Sequence, residues 1–249
     1  MAGVGYELAT GVLRDGMGGP VRAWREIRRA LASRTHRAIW SYRRERIVAN
    51  YFAQHDVLKL QIGCGFNLLS GWLNSDRHPI SPEVVFLDAT EVFPFGDRCF
   101  HYVFTEHMIE HIPYAQGVSM LAECHRVLMP GGTLRVATPN LLNFLKMFEE
   151  HKDSGAEHYI EWAVDFNRLP GSASAECFVL NNIMREFEHQ FVYDPPTLKA
   201  ALEAVGFRTV RFFSPAVSDD QHLRSIESHG RLIGHDNNRF ETMVVEAVR

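Results

Sequence analysis

Short apolar runs separated by turn residues dominate the middle of the chain. Five such runs, each bounded by Gly, Pro, Asp or Asn, occupy residues 57–62, 72–76, 84–87, 100–104 and 133–137. Runs of this length are typical of buried strands, and the periodic stretch 116–128 between the last two predicts a helix. Strands that are buried on both faces occur mainly in parallel sheets covered by helices. The pattern therefore predicts a parallel α/β core.

The part of the chain after this core is less regular. Its predicted elements are a mainly helical region over 141–194, a helix over 195–206, and two β-rich runs over 207–213 and 240–248. The helical region is rich in histidine and polar aromatic residues, a composition that suits either stacking on sugars or a plain solvated cap. The 26-residue segment 214–239 is long for a plain connection, so we expect it to carry a function or a local helix.

Positive charge is concentrated in the first 50 residues. They hold ten arginines against four acidic residues, a local net charge of +6, whereas the whole chain has a net charge of -4. We predict an Arg-rich helical extension over residues 1–55. Three interpretations stay open: an amphipathic helix that closes over the ligand or a partner subunit, a patch for an anionic substrate, or a surface for nucleic acid or membrane.

Several protein classes are excluded by what the composition lacks. The four cysteines form no C-x-x-C pair, so neither a zinc knuckle nor a disulfide scaffold is expected, and a reducing cytoplasm is the natural setting. A standard secretion signal and an apolar run of membrane-spanning length are both missing. The net charge gives no overall attraction to nucleic acid. With 46% hydrophobic residues in 249, one domain with decorations is the leading expectation.

A glycine turn follows the first predicted strand. Gly63 and Gly65 flank Cys64, at the point where a doubly wound sheet turns over the carboxyl ends of its strands. A tight turn without a ligand is the alternative, and Leu68 stands where the third glycine of the dinucleotide fingerprint would be. Acidic residues follow the next two strands: Asp76 could accept ribose hydroxyls, and Asp88, followed by Ala89, an exocyclic adenine amine. Together they indicate an adenosyl ligand across the sheet edge.

These motifs, taken in order, resemble one family. The segments that carry the likeness are Leu60-Gln-Ile-Gly-Cys-Gly65, Gly71-Trp-Leu-Asn-Ser-Asp76, Leu87-Asp-Ala89, Glu106-His-Met-Ile-Glu-His111 and Arg126-Val-Leu-Met-Pro-Gly-Gly-Thr-Leu-Arg135. The chain resembles the class I S-adenosylmethionine-dependent methyltransferases, in particular a small bacterial branch often associated with sugar and polysaccharide genes. The resemblance implies a Rossmann-like, doubly wound, seven-stranded sheet, mostly parallel, with an antiparallel C-terminal hairpin and helices on both faces. It places the methyltransferase domain at 56–249 and a helical substrate cap at 141–194.

The resemblance also implies roles for the residues that bind S-adenosylmethionine. Gly63, Cys64 and Gly65 would cradle its methionine part, Asp76 would bind the ribose, and Asp88 with Ala89 the adenine. Gln61 and Thr105 complete the expected cofactor contacts.

Three features depart from the family pattern. Gln61 replaces the usual acid, so the methionine ammonium must rely on an amide oxygen, a carbonyl or water. His101 replaces the usual Asp, which could leave a structural hydrogen bond unmade. Only 11 positions separate Gly65 from Asp76, so the first crossover is expected to be a short turn.

The segment from Glu106 to His111 has three interpretations. Read as H-x-x-E-H, it matches the inverted zinc-peptidase motif, but Pro113 cuts the required helix short, which disfavours a metallopeptidase. In the methyltransferase interpretation, residues at the end of the fourth strand face the transferred methyl group, so His107 is the favoured general base with Glu106 nearby. In the third, His111 packs and hydrogen-bonds behind the loop.

Further acceptor contacts are expected from His111, His189 and Tyr193, and His189 is also an alternative base. The histidines lack metal-ligand spacing, so no structural metal is predicted, although a divalent ion that aids a diol acceptor stays open. The Asn/Asp-Pro-Pro-Tyr motif of amino-group methylators is absent after Thr105, which favours O-methylation of a saccharide or other small molecule.

A cofactor-binding but non-catalytic regulatory protein is the alternative, and an NAD-dependent oxidoreductase is less favoured. Neither nucleic acid nor an integral membrane contact is expected, and a homodimer stays open.

Overall fold

The computed structural model describes residues 43–169 and 175–249. Most of the predicted Arg-rich extension, residues 1–42, therefore lies outside the described residues, and its end, residues 43–54, is helical (α1). None of the helices in the described ranges is long and apolar enough to cross a membrane.

Seven strands form one sheet in the order β3-β2-β1-β4-β5-β7-β6. The strands are β1 (Lys59–Ile62), β2 (Leu73–Asp76), β3 (Val85–Phe86), β4 (Phe100–Glu106), β5 (Leu128–Pro139), β6 (Thr209–Phe213) and β7 (Thr242–Val248). The first five pair in parallel, whereas β7 lies antiparallel between β5 and β6. The predicted doubly wound sheet with an antiparallel C-terminal hairpin is confirmed.

Helices surround this sheet. They are α2 (Tyr114–Val127), α3 (Leu141–Lys146), α4 (Ser154–Phe166), α5 (Ala175–Arg185), α6 (Pro195–Ala204), α7 (His229–Ile233) and α8 (His235–Glu241), with a short 3-10 turn at Ile109–His111. Asp194 caps α6 by accepting a hydrogen bond from the Thr197 backbone N–H, and proline occupies its first turn, where a missing N–H costs nothing. The helix predicted over 195–206 is therefore confirmed.

The first crossover and the start of β5 show how the sequence shapes the chain locally. Residues 65–72 contain no helix, as the short spacing between Gly65 and Asp76 predicts. Residues 129–132 lie within β5, where the register against β4 shifts and Gly131 adopts a φ of 79°. Gly131 takes this left-handed conformation at little cost because it has no Cβ.

The departure at His101 leaves no gap in the hydrogen bonding. Its Nδ1 accepts a hydrogen bond from the Leu58 backbone N–H at 3.0 Å, and its own backbone N–H donates to the Leu58 carbonyl at 2.8 Å. The expectation of an unmade hydrogen bond is wrong, because an imidazole nitrogen supplies the acceptor.

Two apolar clusters set the position of the clefts. The main one fills the space between the sheet, α2 and α6, and contains Leu60, Ile62 and Val103. A second cluster, built around Phe144, Tyr159, Ile183 and Phe240, joins α3, α4 and α5 to α8. The helices of the 141–194 region therefore have a core of their own next to the C-terminal strand.

Candidate active site

A cleft of about 440 Å³ opens at the carboxyl ends of the parallel strands. We call it the strand-end cleft. Its lining includes the glycine turn, the acidic residues after β2 and β3, and the loop after β4; these residues include Gly63, Gly65, Asp76, Asp88, Ala89, His107, Met108, His111 and Gln190. This edge is where open α/β sheets bind their ligands.

The glycine turn depends on the conformation that glycine allows. Gly63 and Gly65 have φ values of 67° and 49°. A Cβ on Gly63 would lie 2.6 Å from the Met108 Cγ, whereas a Cβ on Gly65 would meet no protein atom within 4 Å. Gly65 therefore borders open space in the cleft, so a ligand can approach its backbone closely.

The two acids at the strand ends are fixed by nearby groups. Asp76 accepts hydrogen bonds from the Gly65 backbone N–H at 2.9 Å and the His78 backbone N–H at 2.6 Å. Asp88 is buried, accepts from the Thr90 backbone N–H and hydroxyl, and forms an ion pair with Arg77 at 3.3 Å. Both carboxylates thus stand at the cleft in defined orientations, as the sequence predicts.

Two buried polar atoms near this edge lack hydrogen bonds within the described residues: Gln61 Oε1 and Thr105 Oγ1. The other end of the Gln61 amide is fixed, because Nε2 donates to the Asn67 carbonyl at 3.0 Å. Cys64 is also buried, and burial raises the pKa of its thiol to about 12, so the thiolate is disfavoured. Cys64, Gln61 and Thr105 are not part of the cleft lining, unlike Gly63 and Gly65.

A second cavity of about 310 Å³ lies beside the strand-end cleft, and we call it the aromatic pocket. Its lining combines aromatic rings, four histidines and one acid; the residues include Tyr159, Trp162, Phe166, His107, His111, His189, His229 and Glu241. His107 and His111 line both cavities. The two cavities therefore meet at these two side chains.

His107 stands at this junction in a strained conformation. Its φ of 45° is uncommon for a residue with a side chain, and such strain concentrates at functional sites. Its Nε2 lies 2.9 Å from the Thr242 hydroxyl, which itself donates to Asn238 Oδ1, and its Nδ1 lies 3.2 Å from Glu110 Oε1. Burial acts to lower the pKa of His107, but the neighbouring acids, Glu110 first, raise it above the usual value.

Glu110, which directly precedes His111, is fully buried beneath the junction. Burial would raise the pKa of its carboxyl group, but the contact with His107 outweighs this effect and lowers the pKa. Its Oε2 accepts a hydrogen bond from the Thr138 hydroxyl at 3.0 Å. The sequence analysis did not select Glu110 as a site residue, although it belongs to the same motif.

His189 reaches the aromatic pocket from the loop after α5. Its Nδ1 lies 2.6 Å from the Ile183 carbonyl, so Nδ1 must carry the proton that this contact needs and Nε2 keeps its lone pair. Burial lowers the pKa of His189, which favours the neutral ring. The two preceding residues, Phe187 and Glu188, have φ values of 59° and 61°, so the loop itself is strained.

A carboxylate and a histidine that the sequence analysis missed face the same pocket. His229 Nε2 lies 3.0 Å from Glu241 Oε1, and Glu241 Oε2 accepts a hydrogen bond from the Tyr159 hydroxyl at 2.5 Å. Burial would raise the pKa of Glu241, but the hydrogen bond from His229 and the charge of His107 lower it. The unusual length of segment 214–239 was the only sequence signal that pointed towards His229.

Two predicted site residues do not contact the pocket. Tyr193 is fully buried in the main core and lines neither cavity, so its predicted contact with the substrate has no support in this geometry and stays a prediction. Glu106 also lines neither cavity, because its carboxylate accepts hydrogen bonds from Ser228 and from the His229 backbone N–H at 2.9 to 3.0 Å. Glu106 therefore holds the start of α7, and with it His229, in place.

A buried ion cluster attaches the same segment to the sheet. Arg135 on β5 is fully buried and pairs with Glu227 and Glu246, and it also donates to the Val217 carbonyl at 3.0 Å. Glu227 directly precedes Ser228, so this cluster fixes the entry to α7. Sequence distance hid the arrangement, because Arg135 and Glu227 are 92 positions apart.

Several solved structures are similar to this chain in fold. A SAM-dependent methyltransferase from Archaeoglobus fulgidus is 18% identical over 89% of this chain and 94% of its own, with a TM-score of 0.49. An S-adenosylmethionine-dependent methyltransferase from Mesorhizobium loti is 13% identical over 78% and 91%, with a TM-score of 0.44. The 1,6-didemethyltoxoflavin-N1-methyltransferase of Burkholderia thailandensis is 14% identical over 94% and 91%, with a TM-score of 0.43. No curated protein matches the sequence.

The sheet order, the glycine turn and the acids at the strand ends define a Rossmann-like nucleotide-binding domain. Residues 60–136, which contain the glycine turn and both acids, match the family described as Methyltransferase domain. Over these residues the match agrees with the resemblance to the class I S-adenosylmethionine-dependent methyltransferases, and S-adenosylmethionine is the cofactor that it implies. The residues present fit this cofactor, because Gly65 borders open space and two carboxylates stand at the strand ends of the same cleft.

Proposed function

We propose that this protein transfers the methyl group of S-adenosylmethionine to a hydroxyl of a saccharide or another small polyhydroxylated molecule. The observation that carries the proposal is that His107 and His111 line both the strand-end cleft and the aromatic pocket. A cofactor in the first cavity and an acceptor in the second would meet at these side chains, as an in-line transfer requires.

The aromatic pocket suits a small ring better than a polymer. Its volume of about 310 Å³ is at the lower end of the usual range for small-molecule sites. Tyr159, Trp162 and Phe166 offer ring faces for an acceptor to stack on, while the histidines and Glu241 supply polar contacts. The helices α4 and α5 contribute part of this lining, which agrees with a substrate cap within 141–194.

The cofactor would be held along the carboxyl ends of the strands. The turn from Gly63 to Gly65 would receive its methionine part, Asp76 its ribose hydroxyls, and Asp88 with Ala89 its adenine. Gln61 Oε1, a buried acceptor without a hydrogen bond among the described residues, suits the methionine ammonium in place of the usual acid. When bound, the cofactor supplies an activated methyl group, so the protein must mainly align the acceptor and remove its proton.

We assign the proton acceptor to His229. His229 Nε2 is oriented by the Glu241 carboxylate, which leaves Nδ1 with the lone pair, and no hydrogen bond engages Nδ1 within the described residues. A base held by a carboxylate in this way is the usual arrangement for hydroxyl deprotonation. His107 is a weaker candidate than the sequence suggests, because its Nε2 is bonded to Thr242 and its Nδ1 is in ion-pair contact with Glu110. We assign positioning to His107 and Glu106, and acceptor contacts to His111 and His189.

The cellular setting proposed from the sequence is the cytoplasm. The four cysteines are free thiols, which is usual for a reducing compartment. We also propose that the acceptor is a glycan and that the protein can assemble as a homodimer.

Methyl transfer to a panel of acceptors tests this function. The full-length protein is incubated with labelled S-adenosylmethionine and monosaccharides, vicinal diols, amines or thiols, and products are identified by mass spectrometry. We expect methyl ethers from hydroxyl acceptors. His229→Gln should lower kcat at least ~100-fold with S-adenosylhomocysteine affinity unchanged, whereas His158→Gln, an exposed histidine outside the pocket, should leave both unchanged.

Two results would contradict the proposal. Transfer only to nitrogen or sulfur would exclude the hydroxyl acceptor. Tight cofactor binding with no transfer to any acceptor would favour the non-catalytic regulatory function instead.

A further inference from the structure

Three side chains that metals commonly use meet at the junction of the two cavities. The ligand atoms of Glu110, His111 and His189 all lie within 4.8 Å of one another. His111 lines both cavities and His189 lines the aromatic pocket. We infer that these three residues form a site for a divalent transition-metal ion that binds the acceptor hydroxyl.

The Glu110 carboxylate is the first independent support. Glu110 is fully buried, and its Oε1 receives no aligned hydrogen bond from any described residue. The nearby His107 Nδ1, at 3.2 Å, makes an ion-pair contact without the alignment of a hydrogen bond. This oxygen therefore keeps a lone pair free of any aligned hydrogen bond, and a bound cation would add to the compensation that His107 already gives the buried carboxylate.

The groups behind the ligands are the second support. Metal-binding histidines usually donate their other ring nitrogen to a carbonyl or carboxylate, and ligating carboxylates are themselves hydrogen-bonded. His189 Nδ1 contacts the Ile183 carbonyl at 2.6 Å, which leaves Nε2 for a ligand. The second oxygen of Glu110 accepts a hydrogen bond from the Thr138 hydroxyl at 3.0 Å. Two of the three ligands thus have the outer partners that a metal site needs.

Backbone hydrogen bonds hold the two ligand-bearing segments together. The Glu110 carbonyl accepts from the Gln190 and Phe191 backbone N–H groups at 2.7 and 3.1 Å. The Gln190 side chain also donates to the His111 carbonyl at 2.8 Å. His189 is therefore fixed relative to Glu110 and His111 without help from a metal, so the site is preformed.

A second candidate cluster, formed by His107, His229 and Glu241, is less suitable. Its members also lie within 4.8 Å of one another. However, His229 and Glu241 are already bonded to each other, and His107 Nε2 contacts Thr242. A metal there would have to break these hydrogen bonds, whereas the contact of Glu110 Oε1 with His107 is an ion pair without hydrogen-bond alignment.

The ligand set defines the metal and its role. Two histidines and one carboxylate leave coordination positions open and suit ions such as Mn²⁺, Fe²⁺, Co²⁺ or Zn²⁺. A metal in such a site lowers the pKa of a bound hydroxyl and orients it. The inference, which rests on the proposed function, therefore names the substrate class: a vicinal diol or another hydroxyl with a second oxygen in chelating position. It develops the divalent ion for a diol acceptor that the sequence left open beside its prediction of no structural metal.

Cobalt binding tests the site without an activity measurement. Full-length protein is freed of metal by dialysis against EDTA and titrated with Co²⁺, and the visible absorption and the heat of binding are recorded. We expect one Co²⁺ per chain with visible bands. His189→Gln and Glu110→Gln should each weaken binding at least ~10-fold, with His229→Gln close to wild type. If Glu110→Gln fails to fold, the Co²⁺ affinity of His189→Gln is sufficient to test the site.

The opposite pattern would overturn the inference: no Co²⁺ binding by the wild-type protein, or binding that survives His189→Gln but not His229→Gln. A parallel assay separates it from the proposed function. Hydroxyl methylation that persists undiminished in excess EDTA would contradict the metal site but would still support the proposed O-methyltransferase activity. Specific Co²⁺ binding with methylation only at nitrogen or sulfur would support the metal site but contradict the hydroxyl acceptor.

Discussion

Replacing Gly65 with alanine separates a cost in stability from a cost in cofactor binding. Gly65 has a φ of 49°, and an added Cβ would meet no protein atom within 4 Å. The left-handed conformation costs alanine about 1–2 kcal/mol. The lower conformational entropy of the unfolded alanine variant offsets about 0.4–1 kcal/mol of this cost. We therefore expect Gly65→Ala to reduce the free energy of unfolding by about 1 kcal/mol.

Cofactor affinity should fall much further, because the new methyl group would occupy space that the cofactor needs at the turn. An increase in the Kd for S-adenosylhomocysteine of at least ~10-fold, about 1.4 kcal/mol, is expected. Isothermal titration calorimetry measures the affinity, and urea unfolding without ligand measures the stability.

Gly131 supplies a matched control. Its φ is 79°, a Cβ there also meets nothing within 4 Å, and it lies near the amino-terminal end of β5, away from the strand-end cleft. Gly131→Ala should therefore cost a similar stability and leave the Kd unchanged. If Gly65→Ala binds S-adenosylhomocysteine as tightly as Gly131→Ala does, the glycine turn does not hold the cofactor and the reasoning fails.

Three further predictions concern the fold and the cleft. Arg135→Met should lower the free energy of unfolding by about 3–5 kcal/mol, because it leaves Glu227 and Glu246 buried without their cation; an unchanged urea midpoint would contradict this. The pKa of Glu123 is lowered, mainly by its hydrogen bond with Arg126, so its stabilisation is complete above the ordinary value of 4.5 and is lost as pH falls through the folded-state pKa. Unfolding titrations between about pH 3 and pH 6 should thus show a flatter dependence in Glu123→Gln, and identical slopes would refute the assignment. Asp88→Asn should weaken S-adenosylhomocysteine binding about 10-fold but leave the affinity for an analogue without the adenine amino group almost unchanged; equal losses for both ligands would exclude the adenine contact.

The sequence predicted the half of the site that comes from local motifs. Gly63, Gly65, Asp76 and Asp88 each follow a predicted strand directly, and parallel strands bring their carboxyl ends to one edge of the sheet. Local patterns are sufficient for such residues, because the fold class alone places them together.

The other half depends on contacts that no local pattern encodes. His229 and Glu241 reach the aromatic pocket because Glu106 and Arg135 fix segment 214–239, over separations of 122 and 92 positions. The sequence predicts acceptor contacts from both His189 and Tyr193, but that segment is a loop before α6, and Tyr193 packs into the core instead. Packing, and not spacing, decides which of these side chains reaches the pocket.

An experimental structure with S-adenosylhomocysteine bound would show directly whether cofactor and acceptor meet where the two cavities join. We expect adenine beside Asp88 and Ala89, the amino-acid part at the glycine turn, and the sulfur facing His107 and His111 with the aromatic pocket beyond. A ligand whose sulfur faces away from these histidines, or that lies outside the strand-end cleft, would contradict this expectation.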